Sequence, residues 1–99
     1  MSLIYHITTA TAWESAQRAE EYSSPALKEE GFIHCSEKDQ IDFIKNRFYP
    51  NAIDLLLLTI DTDKLKSQFV FEWSPSVEQT FPHIYGPVNL DAVVDVTTL

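Results

Sequence analysis

Little in this 99-residue chain can cross-link it, bind a phosphate backbone or span a bilayer. Its one cysteine, Cys35, excludes an internal disulfide framework and suits a reducing compartment, so a cytoplasmic location is expected. Its two glycines leave no Gly-rich loop, which excludes the phosphate-cradling fingerprints of dinucleotide-binding and P-loop folds. Seven Lys and Arg, scattered singly against fifteen Asp and Glu, give a net charge of −8. Without a basic stripe, non-specific binding to nucleic acid or to an anionic membrane is disfavoured, although a focused pocket could still hold one anion. The longest apolar run, Leu55–Leu58, is strand-sized, far below the roughly 20 residues of a membrane span. The N-terminus has no charged region leading into an apolar stretch, so no signal peptide is expected.

What remains is an ordinary globular composition, 44% apolar and 22% charged, sized for a single domain over residues 1–99. Leu3–Thr8 alternates β-branched and aromatic residues and predicts a strand. Thr11 and Glu14 have capping-box spacing for a helix through about Glu20, with Ala12, Trp13, Ala16 and Ala19 inward. Ser24-Pro25 opens a short helix that Gly31 can end. Phe32–Cys35 predicts a second strand, and Ser36 with Asp39 a third helix buried through Ile41, Ile44 and Phe48. Asp54–Asp61 predicts a central strand, Phe69–Trp73 another, Ser74–Thr80 a loop, His83–Tyr85 a short strand and Asp91–Leu99 the last. Helices early and strands late predict an α+β domain with a largely antiparallel sheet.

All three histidines fall in strand-like apolar contexts: "IYHIT", "GFIHCS" and "FPHIYGP". A neutral imidazole buried without partners costs a few kcal/mol. Three of them are explained more simply as the lining of one cleft, with hydroxyls nearby in Thr8, Ser36 and Tyr85. Strand alternation puts Phe32 with His34, and His6 with Ile4 and Thr8, opposite Tyr5 and Ile7. No Cys-x-x-Cys or His-x-x-x-His pair occurs, so no metal ligand set is assigned. Cys35 is read as core filler. Glu72 is either a general base or the solvent side of an edge strand, and Arg47 either meets an anion or favours a helix C-terminus. Trp13 and Trp73 are read as core or rim aromatics.

The strings "GFIHCSEKDQI" and "FPHIYGPVNLDAVVDV", with "LIYHITTATAWESAQ" and "NRFYPNAIDLLLLTID", resemble a family of small bacterial proteins known as a domain of unknown function. More distantly, the layout resembles the ADP-ribosyltransferase-like fold, which includes NAD-dependent transferases and RNA 2′-phosphotransferases. His6 with Thr8 is similar to that fold's first motif, His34 with Ser36 to its second, and Glu72 to its late acidic residue. The resemblance implies NAD as cofactor or substrate, with His6 on the nicotinamide-side ribose. It places His34 and Tyr85 beside the ring and Glu72 on a ribose hydroxyl. The chain departs from the phosphotransferases in having only Arg18 and Arg47 as arginines, which argues against RNA.

The candidate catalytic residues are therefore His34, Glu72 and His83. The candidate cofactor-binding residues are His6, Thr8, Ser36, Arg47 and Tyr85. The leading expectation is an enzyme acting on NAD or a related nucleotide, as transferase or hydrolase. A non-catalytic module for a nucleotide-like small ligand is the alternative, and a metal-binding protein the third.

Overall fold

The computed structural model describes residues 2–99. β1 (Leu3–Thr9) and β4 (Leu55–Asp61) pair antiparallel, from Leu3 opposite Asp61 to Thr9 opposite Leu55. β8 (Val93–Thr98) takes the other edge of β4, so the four-leucine strand is central. A second sheet has the order β3 (Ile33–His34), β6 (Gln79–Ile84), β5 (Phe69–Ser74). β2 (Glu21–Tyr22) and β7 (Val88–Asn89) form a small separate pair. Every one of these pairings is antiparallel, as the sequence predicts for its α+β class.

Among the described residues, one isolated backbone bridge joins the two three-stranded sheets. Tyr5 N–H donates to the Ser36 carbonyl at 2.9 Å, and Ser36 N–H to the Tyr5 carbonyl at 2.7 Å. The core lies on the Ile4 face of β1, where Ile4, Leu58, Ile60, Ile33, Ile84 and Val88 are sealed from solvent. Burying each such side chain stabilises the fold by about 1.5–3 kcal/mol.

α1 (Ala10–Ala19) covers this core with Ala12, Trp13 and Ala16. Two expectations fail here. The cap is Thr9, not Thr11: the last strand residue, still extended, accepts the Ala12 N–H on its hydroxyl at 3.1 Å. Ala19 is exposed, because it is the last helical residue before Glu20 reverses the chain at φ 64°. α2 (Pro25–Glu30) starts after Ser24 and ends at Gly31, whose φ of 91° favours glycine.

The third helix departs further. Its first turn, Lys38–Gln40, is 3-10, capped by Glu37, and α3 (Ile41–Phe48) follows. No residue of α3 is fully buried, and Phe48 is 57% exposed, because the helix faces a cavity instead of the core. β3 has two residues where four were expected, and β6 is longer than expected, running through Pro82. The Pro82 carbonyl accepts the Cys35 N–H at 3.0 Å, so the missing proline N–H falls on the side where β3 has already ended. The final strand begins at Val93, after a 3-10 turn at Leu90–Ala92.

Candidate functional site

A cavity of about 550 Å³ opens where β1, β3 and β6 meet beneath α3. The opposite face of β1 supplies Tyr5 and Ile7, the bridge segment Cys35 and Ser36, and β6 Phe81 and His83. His34 and Phe32 complete the wall on one side, Ile44 and Phe48 of α3 on another. The volume is that of an ordinary small-ligand site.

Five of the eight candidate residues gather at or against this cavity. His34 and His83 face each other edge-on, with ring centroids 5.3 Å apart, although their sequence separation is 49 positions. Phe32 stacks on His83 at 4.1 Å and meets His34 at 4.8 Å. Behind His83, Nδ1–H donates to Glu72 Oε1 at 2.7 Å, and the Tyr85 hydroxyl donates to the same oxygen. These two donors hold the Glu72 carboxyl below its usual range, and the carboxylate in turn pushes the Tyr85 phenol up. Glu72 reaches the cavity only through His83. His83 lines the cavity, no described residue bonds its Nε2, and with the proton on Nδ1 a neutral ring carries its lone pair there.

His34 departs from the expected buried imidazole. Its side chain is 54% exposed, and Nε2–H donates to Glu30 Oε2 at 3.1 Å. Ser36 is only 2% exposed, and its hydroxyl has no hydrogen-bond partner, an arrangement that costs about 1–3 kcal/mol. Cys35 is buried and burial pushes its thiol pKa up, so it is a poor nucleophile at neutral pH.

The other three candidates lie elsewhere. His6 and Thr8 face away from the first cavity and line a second, of about 300 Å³, with Tyr22 and Ser24. Both nitrogens of His6 are engaged: Nδ1–H donates to the His34 carbonyl at 2.5 Å, and Nε2 lies 2.7 Å from the Tyr22 hydroxyl. Burial lowers the His6 pKa to about 4, so the ring is neutral at pH 7 and Nε2 must accept. The Tyr22 proton therefore goes to His6, and the Thr8 hydroxyl, 2.9 Å from Tyr22, donates to the phenol oxygen. Burial also pushes the Tyr22 phenol up to about 12. A single hollow shared by three imidazoles is thus corrected to two: His34 and His83 line the first cavity, and His34 with the buried His6 lines the second. Arg47 lines neither cavity; it is exposed, with its guanidinium 5.8 Å from the Phe48 ring.

Sequence reasoning missed Tyr22 and underused Phe32. Alternation already put Phe32 on the His34 face, but nothing in "EEYSSP" marks Tyr22 as a partner of His6. Among the described residues, no group of three or more His, Cys, Asp or Glu side chains could hold a metal ion. Among the described residues, no helix is long and apolar enough to cross a membrane.

Comparison with known proteins agrees with this architecture. A family model described as "Protein of unknown function (DUF952)" matches residues 7–96. The crystal structure of protein CC0527 from Caulobacter crescentus is similar at 26% identity and a TM-score of 0.88, over 99% of this chain and 86% of that one. A double mutant of CC0527 gives 25% identity with the same score and coverage. Its solution NMR structure gives 27% identity and 0.79, over 100% and 85%. No curated protein matches the chain.

Proposed function

We propose, from the premise that the chain belongs to the DUF952 family of proteins of unknown function, that it is a small-molecule enzyme whose site is the first cavity. The observation that carries this reading is the Glu72–His83 pair. A carboxylate fixes Nδ1–H, which leaves the lone pair of Nε2 on the cavity wall as a general base. When that nitrogen takes a proton, Glu72 stabilises the imidazolium. His34, Ser36 and Phe32 shape the ligand's seat, and Tyr85 holds Glu72 in place.

The substrate class we favour is NAD or a related nucleotide, entering by its nucleoside end. Rings stacked as Phe32 is on His83 suit a planar heterocycle. No lysine or arginine lines either cavity, so the phosphates of such a ligand would remain outside. In a hydrolysis, His83 Nε2 would take a proton from water as its oxygen bonds the ribose C1′ and the C1′–nitrogen bond breaks. The departing base keeps the electron pair.

A non-catalytic binding module would share the cavity without needing His83 as a base. Heat denaturation with NAD, together with chromatography for released nicotinamide, separates the two. The enzyme reading expects stabilisation and release, with His83→Gln losing release and keeping the stabilisation. Stabilisation without release in the unaltered protein leaves the binding module; neither effect removes both readings for this ligand class.

A further inference from the structure

We infer that the first cavity recognises a compact organic cation, such as a quaternary ammonium or an N-alkylated pyridinium, as its ligand's head group. The inference rests on reading this cavity as the ligand site. The chain has six Phe, four Tyr and two Trp. Half of these rings line this cavity: Tyr5, Phe32, Phe48, Tyr49, Trp73 and Phe81. They come from β1, the approach to β3, the end of α3, β5 and β6, so the fold collects them from places far apart in sequence.

Aromatic faces carry partial negative charge and attract a cation within roughly 6 Å of the ring centre. Phe48 and Trp73 are 57% and 60% exposed, which leaves two large rings in water at the wall where a ligand's methyl or methylene groups can cover them. The charge around the cavity has one sign. Glu30 is its only lining carboxylate, and Glu72 stands behind His83. An anion entering here meets a carboxylate and no lysine or arginine among the lining residues. An uncharged ligand gains the rings but not the carboxylate. A cation gains both.

The test uses the full chain and three probes of similar size: N-methylpyridinium, its uncharged isostere toluene, and benzoate, titrated while amide NMR signals are followed. The expected result is that N-methylpyridinium shifts Phe32, Ser36 and Phe81, with benzoate giving no shift. Its affinity should exceed that of toluene by about ten-fold. Glu30→Gln keeps a hydrogen-bonding group beside His34 and removes the charge. It should weaken the cation about three-fold or more while leaving toluene unchanged. Trp73→Ala, at an exposed position, should weaken the cation with the spectrum otherwise preserved. Equal binding of toluene and the cation, or preference for benzoate, overturns the inference. If NAD stabilises the chain but N-methylpyridinium does not bind, this inference fails alone; if neither binds, it fails together with the proposed function.

Discussion

The two histidines closest to β3 in space are set in opposite chemical surroundings. His6 is shut into the core side of β1, both ring nitrogens engaged by a carbonyl and a phenol, its charge suppressed by burial. His83 lies across the seam with one nitrogen fixed by Glu72 and the other unbonded on a cavity wall. The same side chain is a structural tie in one place and an available base in the other. What decides is the number of occupied nitrogens, since local sequence makes the two look alike.

The largest effect that sharpens this contrast is on stability. Removing the tie with His6→Ala leaves the His34 carbonyl and the Tyr22 hydroxyl short of partners and opens a void. It should cost about 3 kcal/mol or more in urea denaturation. His83→Ala should cost under about 1.5 kcal/mol by the same measurement and act mainly on nicotinamide release. Comparable costs for the two would erase the distinction.

Next in size is a pH effect. The His6 pKa is 6.5 when unfolded and about 4 when folded, so between these values the unfolded chain binds more protons. The stability contributed by the neutral ring is complete above pH 6.5 and falls as the pH drops through 4. Full loss of that difference is about 3 kcal/mol. Denaturation at stepped pH should show this slope, and His6→Gln should flatten it. A slope that survives the substitution belongs to some other group.

A smaller effect lies on the open side. Glu72→Gln removes the carboxylate that raises the Tyr85 phenol, so ultraviolet titration should show one tyrosine ionising at lower pH. Tyr85→Phe identifies it by deleting that transition. The smallest effect is expected at Arg47, which lines neither cavity. Arg47→Ala should stay within about 0.5 kcal/mol in stability and leave ligand titrations unchanged.

The long elements were legible because their patterning is unambiguous. Leu55–Asp61 reads as an interior strand, and Leu3–Thr9 is rich in β-branched and aromatic residues. Part of the site was legible for the same reason. Alternation puts His83 and Tyr85 on one face, and pairing across β5 and β6 brings Glu72 to both. The separation of His6 was not, because it depends on β1 being bridged at Ser36, and a contact 31 positions apart leaves no local pattern. Phe48 misled because helical periodicity marks an apolar face without saying whether core or cavity lies opposite. The early start of β6 was not legible, because a strand can run through a proline such as Pro82 only where the neighbouring strand stops short, as β3 does.

The bridge between Tyr5 and Ser36 stitches the two larger plates of the molecule together, and the first cavity lies along that stitch. A guest seated there touches strands from both plates. It should act as a rivet, slowing amide hydrogen exchange at residues 5 and 36 while leaving the four-leucine strand as protected as before.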